Sequence, residues 1–99
     1  MRLKPNAVAE FSQTIEKKIL PVLRKQKGFR DELTFVTPGG IEAVGLSLWD
    51  SREQADAYNT ESYPEVLREL NKLLEGTPRV QTYDVANSTA HHISARSAA

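Results

Sequence analysis

The sequence predicts an α+β domain in which an antiparallel sheet carries helices on one face. Two observations predict it. Apolar residues recur at helical spacing before Gly28 and again after Ser62, while the stretch from Phe29 to Trp49 alternates on either side of a Pro38-Gly39-Gly40 turn. A chain of 99 residues suits one such domain, and at this length roughly 65% of the unfolded chain's surface is buried on folding.

Each element has its own signal. Pro5-Asn6 opens the first helix, with Asn6 as its expected cap. Val8, Phe11, Ile15, Ile19 and Val22 form one apolar stripe, and Pro21 inside that stripe predicts a kink or a break. The helix is expected to run to about Lys27, where Gly28 supplies a left-handed stop. Phe29 to Thr37 reads as a strand with Phe29, Leu33 and Phe35 on one face and Glu32, Thr34 and Val36 on the other. The next strand, Ile41 to Trp49, closes a hairpin. Its bulky face (Val44, Leu46, Leu48) is expected to meet the helices. Its small face (Ala43, Gly45, Ser47) leaves room for a second sheet, a ligand, or both.

Ser51-Arg52-Glu53-Gln54 fits a capping box for a helix of about two turns through Tyr58, interrupted at Thr60 to Ser62. Ser62-Tyr63-Pro64-Glu65 fits a second box, and Val66, Leu67, Leu70, Leu73 and Leu74 give the following helix its apolar face. Gly76 and Pro78 end it, and Arg79 to Val85 is expected to be the last strand. Residues 1–86 then form the domain. Residues 87–99 form a polar tail, either loosely docked or lying as an arm on a partner subunit.

Composition excludes several functions. Thirteen basic and 13 acidic residues cancel, so no general attraction to nucleic acid or an anionic membrane is expected. Lys17, Lys18, Arg24, Lys25 and Lys27 read as a solvated helix face. With no cysteine, disulfides, thiolate metal sites and a cysteine nucleophile are ruled out. No run approaches the ~18 apolar residues of a membrane span, and the start lacks an apolar signal core. The expected location is the cytoplasm.

The element order is a ferredoxin-like βαββαβ unit with a truncated first strand, for which only Met1 to Lys4 remain. Three explanations stand: a stub, a start lying upstream, or another segment filling the gap.

At this level of detail the chain resembles the antibiotic biosynthesis monooxygenase (ABM) superfamily. The matching residues are Leu3-Lys4-Pro5, Gly28-Phe29, Leu46-Ser47-Leu48-Trp49-Asp50-Ser51, Tyr58, Tyr63-Pro64, and Pro78 before Tyr83-Asp84-Val85. The resemblance implies a homodimeric α/β barrel in which the open faces of two sheets meet, here expected to be the small-residue face around Gly45. It also implies cofactor-independent oxidation of a phenolic or quinol compound, or else a binding or dimerisation module of the same fold. The haem-degrading branch fits poorly. It resembles this chain at Trp49, but Tyr58 stands where that branch has a second tryptophan, Arg68 where it has an axial histidine, and Met1 to Lys4 hold no asparagine. Arginine stays protonated and is no axial ligand.

Cofactor-free oxygenation requires an aromatic-binding, water-excluding pocket that stabilises an anion. Trp49, Tyr58, Tyr63 and Tyr83 are candidates for its wall, with Ser47 beside Trp49 on the strand. Each has an alternative role in packing, Trp49 above all as a core or interface anchor. Asp50 is the candidate base, against a capping or turn role. Arg68 is a candidate for holding an anionic ligand, against a surface arginine paired with Glu65 or Glu69. Glu32 and Glu42 read as solvated or paired strand residues. His91 and His92 are adjacent and point apart, a poor pair of metal ligands.

Overall fold

A computed structural model describes residues 1–90 and is α+β throughout that range. Strand β1 (Arg2–Leu3) leads into α1 (Val8–Thr14), which continues without a break through a π-helical segment (Ile15–Ile19) into α2 (Leu20–Arg24). The hairpin β2 (Phe29–Val36) and β3 (Ala43–Trp49) follows, then α3 (Arg52–Glu61), α4 (Tyr63–Asn71) and β4 (Leu74–Glu75). No helix among the described residues is long and apolar enough to cross a membrane.

The residues before Pro5 form the two-residue strand β1. It pairs antiparallel with β4 (Arg2 with Glu75, Leu3 with Leu74), and an isolated bridge joins Arg2 to Glu42. The amides of Leu3 and Ala43 donate to Ile41 and Met1 carbonyls, both at 2.8 Å. The two ladders thus meet edge to edge in the order β4-β1-β3-β2, compatible with a ferredoxin-like arrangement.

The last strand is not where the sequence suggested. Leu74–Glu75 pairs with the sheet, and Arg79 to Val85 has no strand pairing. A two-residue β1 offers only two positions on that edge. Leu74 and Glu75 reach them directly from α4, and Gly76, at φ 79°, turns the chain away.

Other departures are local. Asn6 does not cap α1; it takes a left-handed conformation at φ 60°, tolerable for asparagine, and the capping position falls to Ala7 without a side-chain bond. Pro21 sits in the first turn of α2 immediately after the π-helical segment. The wide turn lies where proline's missing N–H and its ring would disturb an α-helical ladder. The helix ends at Arg24, with Lys25 as its C-cap, short of the expected Lys27; Gly28 is left-handed at φ 82° but lies in the turn that leads into β2. Only half of the first capping box forms: Ser51 Oγ accepts the Gln54 amide at 3.3 Å, but Gln54 Oε1 is buried without a partner. The second box does not form. Ser62 keeps a helical conformation and its hydroxyl donates to Gln26 Oε1 instead.

The main correction concerns the hairpin faces. Residues paired across an antiparallel ladder share a face. Glu32 with Ser47, Thr34 with Gly45 and Val36 with Ala43 are three such pairs, and Ala43 (1% exposed) belongs to the core beneath the helices. A bulge between Phe29 and Asp31 turns Phe29 to this same inner side, opposite Trp49. Leu33 with Leu46 and Phe35 with Val44 form the outer face, and all four are exposed. The bulky face is therefore the open one. The helices present large residues inward, among them Phe11, Ile15, Ile19 and Leu23. Close packing against large side chains favours small ones opposite.

Candidate functional site

The inner face and the helices above it enclose a partly open cavity of about 1000 Å³, at the upper end of the range for small-molecule sites. It extends past the strand edge to the outer face, where Leu33, Val44 and Leu46 border it together with residues 78–85. A smaller depression of about 340 Å³ at the hairpin turn is lined by no aromatic residue.

Three aromatic rings line one side. Trp49, at the end of β3, lies 5.1 Å from Tyr58 on α3 (centroid to centroid), and Tyr58 lies 6.2 Å from Tyr63 at the start of α4. Phe29 packs edge-on against Trp49 at 5.5 Å and supports it from behind. The Trp49 indole N–H donates to Ser47 Oγ at 2.9 Å, which sets the ring's tilt. These contacts follow from local structure. The Ser51 cap starts α3 so that Tyr58 falls two turns later on its inner side, and the break at Ser62 redirects the chain so that Tyr63 joins it. Burial, followed by the neighbouring Tyr63 and Glu32, pushes the Tyr58 hydroxyl up to about 12. Burial alone raises Tyr63.

From the sequence, Glu32 reads as a solvated or paired strand residue. In the structure it lines the cavity from β2, half-buried, on the same face as Ser47 and Gly45. Desolvation raises its carboxyl above the ordinary 4.5, while a hydrogen bond from Thr34 Oγ1 to its Oε2 at 2.7 Å partly opposes this. Among the described residues no cation pairs with it. The missed signal was the pairing register: opposite Ser47 and Gly45, any position-32 side chain shares the face that carries Trp49.

The remaining candidates separate. Ser47, Trp49, Tyr58 and Tyr63 come together. Asp50 lies at the mouth, where its carboxylate pairs with Arg30 and its amide donates to the Gly28 carbonyl at 2.8 Å. Tyr83 borders the outer part of the cavity, is 75% exposed, and donates to Gln81. Arg68 does not reach the cavity; it lies on the exposed side of α4, 3.7 Å from Glu65. Lys17, Lys18 and Arg24 are exposed on the helical segments, and Lys25 and Lys27 are exposed in the turn beyond α2. Among the described residues no group of three or more histidine, aspartate or glutamate side chains is placed to hold a metal ion. His91 and His92 lie outside the described residues.

Comparison with family models, with curated proteins and with solved structures returns no match for this chain. The functional reading therefore rests on the geometry of the cavity.

Proposed function

We propose that the protein is an ABM-like monooxygenase that oxidises a small phenolic or quinol-type compound without a cofactor, and that it works as a homodimeric α/β barrel. One observation supports the chemistry above the rest: an aromatic wall of Trp49, Tyr58 and Tyr63 shares a single cavity with a half-buried carboxylate. Rings of this kind hold a planar aromatic compound. The compound loses a proton, and its electron-rich anion reduces dioxygen. One oxygen atom replaces two hydrogens at a ring carbon as a carbonyl, and the other leaves as water. The protein's part is to bind the ring, exclude water and hold the proton.

The barrel would form through the outer face of the hairpin. Leu33, Phe35, Val44 and Leu46 are between 42% and 57% exposed and contiguous, and a patch of that kind is a liability unless a second copy covers it. A non-catalytic binding or dimerisation module of the same fold is the second reading. It is favoured by the engagement of Asp50 with Arg30, which ties up at the cavity mouth the base expected from the sequence.

Oxygen uptake with a panel of naphthols and anthrones tests the first reading. Consumption that slows in Trp49→Phe supports it, and no consumption by the wild-type protein refutes catalysis. Calorimetric binding of the same compounds without uptake supports the second reading.

A further inference from the structure

We infer that Glu32 is the hydroxyl-recognising group of the cavity: its carboxylate accepts the hydrogen bond, and in turnover the proton, of an aromatic ligand's hydroxyl, with Thr34 as its positioning residue and Gly45 leaving space beside the carboxylate. The inference rests on the proposed aromatic-binding cavity and names the ligand class that this cavity selects.

The geometry supplies each part. Thr34 Oγ1 occupies one side of Glu32 Oε2 at 2.7 Å and leaves Oε1 without a partner among the described residues. A carboxylate offers about four acceptor positions, so one bond from Thr34 leaves most of its capacity unused. Across the ladder from Thr34 stands Gly45, where an added Cβ would lie 3.5 Å from Glu32 Oε2 and 3.7 Å from Met1 Cε. These are ordinary contacts, so an alanine there would fit and would fill the space beside the carboxylate. Glycine keeps that space clear.

The surroundings favour a neutral donor for this acceptor. Tyr58 and Tyr63 face the cavity from α3 and α4 and hold their protons at neutral pH, since burial raises both. The Met1 amino group is engaged with the Ala43 carbonyl at 2.9 Å, and Arg30 is paired with Asp50 at the mouth. A ligand hydroxyl beside the aromatic wall meets the need of a half-desolvated carboxylate for a donor. In the proton transfer the ligand's O–H bond breaks and an O–H bond forms on Glu32, leaving a phenolate and a neutral carboxyl group. No other atom changes hands.

Isothermal titration calorimetry with 2-naphthol and its methyl ether, 2-methoxynaphthalene, tests this on the full chain. The two ligands share a ring system and differ in the donor. The wild type is expected to prefer the naphthol by roughly tenfold or more at neutral pH, the scale of a hydrogen bond to a charged acceptor. Glu32→Gln is expected to reduce that preference to within about twofold while the ether binds as before, and Gly45→Ala to weaken the naphthol more than the ether. The preference should fade as pH falls and Glu32 takes up its proton. Thr34→Val, which removes a bond that lowers the Glu32 carboxyl, should move that midpoint to higher pH, a change a merely structural threonine would not produce. Equal binding of the two ligands by the wild type, or an unchanged preference in a folded Glu32→Gln, overturns the inference and leaves the aromatic cavity standing. Binding of neither ligand overturns the cavity reading and the inference with it.

Discussion

The two faces of the β2–β3 hairpin carry opposite kinds of side chain, and each lies where its bulk alone would not put it. The inner face has Ala43, buried in the core beneath the helices, and Gly45 and Ser47, which border the cavity; the outer face has Leu33, Phe35, Val44 and Leu46 and is open. Burial is therefore not simply a ranking of apolar residues. On this inner face Ala43 packs into the core with Phe11, Ile15, Ile19 and Leu23 of the helices, where a small side chain fits opposite large ones. The same small residues leave the cavity in which Trp49, Tyr58, Tyr63 and Glu32 meet. A bulky apolar face left open is in turn the one suited to a second subunit.

The contrast can be broken most severely from the inner side. Phe11 is fully buried at 0% exposure in the same core as Ala43. Phe11→Ala should cost about 3–5 kcal/mol in urea unfolding, by lost burial and the cavity left behind. Ala43→Leu tests the fit directly. Overpacking at this position should cost about 1–3 kcal/mol, although leucine is the more apolar residue.

The outer face should respond in the opposite way. Phe35→Ser should change the unfolding free energy of the monomer by no more than about 0.5 kcal/mol. By light scattering it should shift the population from dimer to monomer. A wild-type protein that is monomeric at micromolar concentration would remove the barrel from the account.

A smaller, pH-dependent effect separates the faces by charge. The folded-state carboxyl of Glu32 lies above its ordinary 4.5, so the folded protein binds this proton more readily than the unfolded chain. Its contribution to stability is present below the unfolded value and is lost as pH rises through the folded one. Glu32→Gln should therefore flatten stability above pH 4.5 and leave the protein slightly more stable at neutral pH. Tyr58 acts with the same sign at the alkaline end. Its neutral form is favoured in the fold, so its contribution is present below 10 and is lost as pH rises through about 12. Tyr58→Phe should weaken that alkaline loss, as followed by circular dichroism.

Much of this was legible in the sequence where the signal was local. The hairpin turn, the Ser51 cap and the helical irregularity around Pro21 all follow from backbone preferences of single residues. The stripe of Phe11, Ile15 and Ile19 was readable as core for the same reason. What was not legible depended on pairing. The bulge that turns Phe29 inward and the register that sets Glu32 beside Ser47 are properties of two strands together. Likewise, Arg79 to Val85 reads as a strand in isolation and fails as one because β1 leaves it no free edge. The aromatic members of the site were found because tryptophan and tyrosine are conspicuous. The carboxylate was missed because a glutamate on a strand is ordinary until its face is known.

The inner face is proposed as the ligand side of the hairpin. Intermolecular nuclear Overhauser effects between bound 2-naphthol and methyl-labelled protein test it most directly. Inner methyl groups (Ala43, Ile15, Val66 and Leu70) and outer ones (Leu33, Val44 and Leu46) all border the cavity, so both sets are within its reach. Contacts to the inner set and none to the outer are expected. Contacts confined to Leu33, Val44 and Leu46 would contradict that assignment, because they would put the ligand on the face assigned here to the second subunit.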